Sequence, residues 1–247
     1  MEETLIYGRN PVLNALEKKP DRIYIQKGLS DGSIKKIWAK AKALDIEIRE
    51  RGKSRLDEMT GGENHQGVVA YISNFAYSSL DDMFHLAEAR GEDPLFVILD
   101  SIQDPHNLGA IVRTAVAMSA HGVIIPKNRS TEVNGTVYKT SAGAVDRMLI
   151  AKVTNINRTI EELKAKNVWV YGAAAEGDAL NEADLTGPVA VVIGNEGKGM
   201  AKKTKEHVDK LLSIPMPGGF ESLNASVAAS IFLYEIVRQG HGRKKKI

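Results

Sequence analysis

Val189-Ala-Val-Val-Ile-Gly-Asn-Glu-Gly-Lys-Gly199 decides how this chain of 247 residues is read. The first five residues are apolar and mostly β-branched, with none of the alternation of a half-exposed strand. A run of this kind suits a strand buried on both faces, as in a parallel sheet covered by helices. The glycines that follow let a backbone approach a ligand closely. In open α/β sheets, the carboxyl ends of the strands are where sites are built.

Working outward, four more apolar runs share this texture: Leu95-Phe-Val-Ile-Leu99, Gly122-Val-Ile-Ile125, Val168-Trp-Val-Tyr171 and Leu211-Leu-Ser-Ile214. Helical spacing near Leu108–Met118, Asn157–Lys166 and Ala201–Val208 separates several of them, and a last helix is expected over Ala225–Gln239. Residues 95–247 therefore read as an α/β domain made of βαβ units. Residues 1–73 differ. There Asn10 and Pro11 suit the N-cap and first turn of a helix running to about Glu17. Alternating Arg22–Gln26 and Ile46–Arg49 suggest strands, Ser33–Ala43 a helix, Ser54 the cap of a short helix to Met59, and Gln66–Ser73 a further strand. This is a small α/β domain. Residues 74–94 carry one basic against five acidic residues and end in Gly91-Glu-Asp-Pro94; they read as a linker.

Composition narrows the class. Hydrophobic residues make up 43% and charged residues 26%, the balance of a soluble globular protein long enough to bury a core without metal or disulfide. The absence of cysteine excludes disulfides, thiolate metal sites and cysteine nucleophiles. Met1-Glu-Glu-Thr-Leu5 lacks the basic and apolar regions of a secretory leader, and no apolar run reaches membrane-spanning length. The cytoplasm is the expected compartment. A net charge of +2 makes only a weak case for nucleic acid. The tail Arg243-Lys-Lys-Lys246 either contacts phosphate or is a solvated end. The six histidines show no pair at the spacing of a metal-ligand set, so no metal is expected. No G-x-S-x-G elbow is present.

Two further segments sit beside apolar runs. Asp104-Pro-His-Asn-Leu-Gly-Ala-Ile-Val-Arg113 leads into a helix that Asp104 or Asn107 can cap. Arg113 lies among Ala110, Ile111, Val112, Ala115 and Val116, so it either snorkels to solvent or presents its planar donors to a phosphate or a developing oxyanion. In Ile214-Pro-Met-Pro-Gly-Gly-Phe-Glu-Ser-Leu-Asn224 the prolines and glycines forbid regular structure, and one of Ser222, Asn224 and Ser226 caps the following helix. A nucleotide loop explains Gly194–Gly199 poorly. A dinucleotide fingerprint started at Gly197 meets Lys202 at its third glycine, and the Gly-Lys-[Ser/Thr] of a phosphate loop is missing.

Taken in order, the three segments resemble the signature motifs of the SpoU (TrmH) family of RNA ribose 2′-O-methyltransferases, within the SPOUT superfamily. Asn107 and Arg113 fit its first motif, Gly194-Asn-Glu-Gly-Lys-Gly199 its second, and Ile214-Pro-Met216 with Ser222-Leu-Asn224 its third. Tyr7-Gly-Arg-Asn10 and His65-Gln-Gly67 resemble the start and end of the small RNA substrate-binding domain that many members carry. The resemblance implies a parallel-sheet SPOUT domain closed by a deep C-terminal trefoil knot. It implies S-adenosylmethionine as cofactor, held around Gly194, Asn195, Gly197, Ile214, Met216 and Leu223. It gives Arg113 the central catalytic role, as a base or an electrostatic stabiliser, supported by Asn107, Glu196, Ser222 and Asn224. It further implies a homodimer paired through Ala225–Gln239, with no metal. The presence of the N-terminal domain favours a guanosine of 23S ribosomal RNA as substrate. A tRNA guanosine is the alternative, followed by a non-catalytic RNA-binding assembly protein and, disfavoured at Lys202, a nicotinamide enzyme.

Overall fold

A computed structural model of the chain describes residues 3–18, 20–73, 75–219 and 222–240. The basic tail Arg243–Lys246 lies outside the described residues, as do Phe220 and Glu221 of the third segment. The elements run β1 (Glu3–Tyr7), α1 (Arg9–Ala15), β2 (Arg22–Gln26), α2 (Gly32–Ala43), β3 (Glu47–Arg51), α3 (Lys53–Met59) and β4 (Val68–Ser73). They continue with α4 (Leu80–Arg90), β5 (Leu95–Asp100), α5 (Pro105–Ala117), β6 (Gly122–Pro126), α6 (Gly135–Thr140), β7 (Ile150–Val153) and α7 (Ile156–Ala165). The last are β8 (Trp169–Ala179), β9 (Val189–Gly194), α8 (Lys202–His207), β10 (Lys210–Ser213) and α9 (Ala225–Arg238). Among the described residues, no helix is long and apolar enough to cross a membrane.

The chain divides into two compact units. One takes the residues up to Ala76 together with Glu132–Arg147, and the other takes Tyr77–Thr131 and Met148 onward. In the first unit the sheet order is β1-β4-β2-β3, with β2 and β3 parallel and β4 antiparallel to both its neighbours. Helix α1 starts one residue before Asn10, after Gly8 turns the chain at a φ of 94° that glycine tolerates. The Arg9 N–H then donates to Gln66 Oε1 at 3.1 Å, so a distant side chain does the work of a local cap. Ser54 does not cap α3, which follows Gly52 with no side-chain cap. The excursion Glu132–Arg147 joins this unit through α6. A Cβ on Gly135 would lie 2.0 Å from the Leu5 carbonyl oxygen, so only glycine lets α6 lie on β1. Lys139 Nζ also pairs with Glu63 at 3.0 Å.

The stretch expected as a linker, residues 74–94, instead contains α4. Its acidity is helix-start chemistry: Ser79 and Asp82 form a reciprocal capping box, and Asp81 and Asp82 sit in the first turn. Met83 is fully buried beneath this helix, against the core of the second unit.

That second unit has a six-stranded, all-parallel sheet in the order β10-β8-β9-β5-β6-β7. Every residue of β5 is buried. One face, including Phe96, Ile98, Ala190 and Val192, packs against Met83 of α4 and Ile156, Ile160 and Leu163 of α7. The unbroken apolar runs follow from this coverage. Helices α5 and α9 pack on each other, with Thr114 Oγ1 and Ser230 Oγ 3.1 Å apart. The central pair β5 and β9 runs in register from Leu95 opposite Val189 to Asp100 opposite Gly194, which brings the loops after both strands to one edge.

Candidate active site at the carboxyl ends of the strands

Asp104, not Asn107, caps α5. Its Oδ1 accepts the His106 N–H at 2.8 Å, and Pro105 occupies the first turn, where a missing N–H costs nothing. Asn107 is thereby free for another task. It is buried, and its Nδ2 donates to Glu196 Oε1 at 2.7 Å. Asn224 Nδ2 donates to Asn107 Oδ1 at 3.0 Å and also to Glu196 Oε1. The Ala225 N–H reaches the same carboxylate oxygen at 3.4 Å. One residue from each of the three segments thus meets in a single polar cluster. Three N–H donors converge on one anionic oxygen, the charge-assisted arrangement that orients a carboxylate most firmly. Asn224 also anchors α9, where its Oδ1 accepts the Ser226 and Val227 N–H groups at 2.9 and 3.3 Å.

The loop after β9 is tied to its surroundings. The Asn195 N–H donates to Gly199 O at 3.1 Å, and the Gly199 N–H returns to Asn195 O at 2.7 Å. The Asn195 side chain donates to Ser101 O at 3.1 Å and accepts the Gly197 N–H at 3.0 Å. Gly194 is required by close approach, since a Cβ there would lie 2.3 Å from the Met200 nitrogen and 2.4 Å from the Gly199 carbonyl carbon. Asp100, at the end of β5, is buried and accepts the Ala201 N–H at 2.8 Å. It fixes the far end of the same loop, a role hidden in the sequence because Asp100 reads simply as a strand terminus.

A cavity of about 790 Å³ opens beside this loop. Gly194, Asn195, Gly197, Ile214, Met216 and Leu223, the six positions expected around a cofactor, all line it, as do Glu196 and Ser222. Sequence reading missed the opposite wall, Ala173-Ala-Ala-Glu176 with Lys205 and Phe232. The apolar run seemed to end at Tyr171, whereas β8 continues to Ala179. Its pairing with β10 jumps from Leu211 opposite Gly172 to Leu212 opposite Asp178, so the intervening residues of β8 leave the ladder. This bulge of small side chains hollows the wall. Glu176 and Lys205 form an ion pair of 2.5 Å across it, and the lysine holds the Glu176 carboxyl below its ordinary range.

Arg113 stands apart from the cluster. It is exposed and makes no hydrogen bond or ion pair with any described residue. Ser222 is also exposed and unpaired among the described residues. Both are thus available to a bound molecule, and neither is needed to hold the fold. No cluster of three or more histidine, aspartate or glutamate residues able to hold a metal occurs among the described residues.

Residues 5–78 match the family described as RNA 2'-O ribose methyltransferase substrate binding, and residues 94–234 match the SpoU rRNA Methylase family. The chain is 40% identical over 239 residues to the 23S rRNA (guanosine-2'-O-)-methyltransferase RlmB of Yersinia pestis, covering 95% of this chain and 97% of the relative. It is 43% identical over 242 residues to an uncharacterized tRNA/rRNA methyltransferase of Mycolicibacterium smegmatis, covering 96% of this chain and 77% of the relative. Among solved structures it is similar to the SpoU methyltransferase AviRb from Streptomyces viridochromogenes in complex with the cofactor AdoMet. That match has a TM-score of 0.80 at 27% identity, covering 96% of this chain and 90% of the other. On its motifs, its parallel-sheet fold and the extent of these matches, the chain belongs to the SpoU rRNA methylase family.

Proposed function

We propose that this protein transfers a methyl group from S-adenosylmethionine to a ribose 2′-hydroxyl of RNA, and that the substrate is a guanosine of 23S ribosomal RNA. The observation that carries the reading is the Asn107–Glu196–Asn224 cluster, which joins the three segments at the rim of the cavity. The substrate class is favoured by the named activity of the Yersinia pestis relative, aligned along nearly its whole length. A volume of about 790 Å³ lies within the range of small-molecule sites. The mixed lining suits a cofactor with an apolar base and polar ends. The crowding at Gly194, where a Cβ would meet the Gly199–Met200 backbone, keeps the loop folded tightly on itself beside this space.

S-adenosylmethionine supplies a methyl group already activated on a sulfonium sulfur. The protein's own task is to align the 2′-oxygen and to stabilise the charge that oxygen gains as its proton leaves to solvent. Alignment of this kind is worth on the order of 7–11 kcal/mol. Arg113 presents five N–H donors and no acceptor, so its role is electrostatic stabilisation of the oxyanion. Asn107 and Glu196 hold the first and second segments in mutual register, and Asn224 adds the third. Ser222 offers a hydroxyl to the nucleotide.

The C-terminal segment closes this site as a deep trefoil knot, in keeping with β10 lying beside β8 and Asn224 bonding to Asn107. Two copies pair through Ala225–Gln239. This assignment is supported by the large apolar residues that α9 leaves exposed, Val227 at 46% and Tyr234 at 58%. The reaction belongs to the cytoplasm, requires no metal, and places residues 1–73 as the RNA-holding domain. Incubation with labelled S-adenosylmethionine and unmodified 23S ribosomal RNA or bulk tRNA, followed by mapping of alkali-resistant linkages, tests the proposal. Protection at a guanosine of 23S ribosomal RNA is expected. Protection in tRNA alone would reassign the substrate, and no transfer to either RNA would leave a binding protein.

A further inference from the structure

The first unit carries an arginine–tyrosine surface that the reaction chemistry does not use. Strand β2 alternates, burying Ile23 and Ile25 on one face and directing Arg22 and Tyr24 to the other. The register sets Tyr71 of β4 opposite Arg22, and Arg49 of β3 opposite Tyr24. Leu56 of α3 packs on this face with Tyr7 and Val69, and Tyr24 packs against that cluster, which leaves its ring half-buried. Arg49, Arg51 and Arg55 remain exposed.

The two tyrosine rings meet edge to face, 5.9 Å between centroids and 77° between planes. The Arg22 guanidinium lies 4.8 Å from the Tyr71 ring centre, and that of Arg51 lies 5.8 Å from the Tyr24 ring centre. Arg49 and Arg55 each pair with a glutamate, Glu47 and Glu58, at 2.6 Å. Both are exposed pairs of the kind that hold weakly, so a phosphate can replace the carboxylate. Half-buried rings beside the exposed guanidinium groups of Arg49 and Arg51 form a surface on which unpaired bases stack while their phosphates find cations. Paired bases present no free ring face to it.

We propose that this surface binds an unpaired segment of RNA, stacking bases on Tyr24 and Tyr71 and pairing phosphates with Arg49 and Arg51. The inference rests on the RNA substrate proposed above. It adds the strandedness of the segment that the first unit holds.

Fluorescence anisotropy of the full chain with a short labelled oligoadenylate, free or annealed to oligouridylate, tests this. The single strand is expected to bind about tenfold or more tightly than the duplex. Tyr71→Leu should weaken single-strand binding about tenfold, whereas Tyr71→Phe, which keeps the ring, should bind like the parent. Arg51→Gln should weaken binding and flatten its salt dependence. If Tyr71→Leu fails to fold, the exposed positions Arg49→Gln and Arg51→Gln carry the test. Equal affinity for single strand and duplex would overturn the proposal, as would parental binding by the folded Tyr71→Leu or by the arginine variants. Failure of methyl transfer to every RNA would sink the reaction proposed above, but the oligonucleotide titration would still be read on its own terms.

Discussion

Changing Asn107 to Asp probes the polar cluster with almost no change of shape. Asn107 Nδ2 donates to Glu196 Oε1 at 2.7 Å, so the substitution N107D sets a carboxylate at the buried position 107 face to face with the exposed carboxylate of Glu196. At that distance, repulsion between full charges is about 6 kcal/mol for an effective dielectric near 20. Holding one carboxyl protonated at pH 7, against an ordinary value near 4.3, costs about 4 kcal/mol. Protonation is the cheaper course, so one proton should be shared by the pair. The folded-state pKa is then raised above the unfolded one. The variant's penalty is therefore smallest below the ordinary carboxylate range and grows as pH rises toward the raised value. At pH 5 the protonation cost falls to about 1 kcal/mol, so N107D should recover about 3 kcal/mol relative to wild type between pH 7 and pH 5. N107A loses a hydrogen bond to a charged group, worth about 1.5–3 kcal/mol, with no comparable pH dependence. Urea unfolding of the three proteins at both pH values measures this. A difference between N107D and wild type that does not change with pH would refute the face-to-face geometry, and with it the cluster's role in joining the segments.

Arg113→Ala should abolish methyl transfer while changing stability by no more than about 0.5 kcal/mol, because the side chain is exposed and holds no partner among the described residues; labelled-methyl transfer and thermal melting check the two halves separately. Gly194→Ala places a methyl 2.3 Å from the Met200 nitrogen, so overpacking should cost about 1–3 kcal/mol and weaken S-adenosylmethionine binding by calorimetry. Glu235 is paired with Arg238 at 2.7 Å, which pushes its carboxyl down to about 2. The stability it contributes is present above the ordinary carboxylate value and is lost as pH falls toward about 2. The melting-temperature difference between wild type and E235Q should shrink across that window, and a constant difference would remove the ion pair as its cause.

The parallel sheet was readable because its physical cause is local. A strand covered on both faces must be apolar throughout, and Leu95–Leu99 and Val189–Ile193 say so residue by residue. The three junctions were readable for a similar reason, since glycine, proline and amide side chains mark places where the backbone must turn or be capped. Signals that depend on a partner were not readable. Residues 173–177 look like loop because alanine and glycine carry no strand signal, yet the β10 ladder skips over them, which makes them a bulge in β8 whose first four residues line the cavity. The acidic residues at 81 and 82 look like linker charge until the capping box and the burial of Met83 reveal a helix.

By itself the amino-acid sequence determined the class of fold and the strand-end junctions beside which the cavity opens, because burial and backbone geometry are imposed on each residue where it stands. Only the tertiary structure decided that Asp104 and not Asn107 caps α5, and that Asn107, Glu196 and Asn224 share one carboxylate oxygen. It alone decided that Glu132–Arg147 belongs with the N-terminal residues and that Arg113 stays unpaired among the described residues. These are relations between residues far apart in the chain. A hydrogen bond spanning 89 or 117 positions is fixed by how strands and helices pack, which no local pattern encodes.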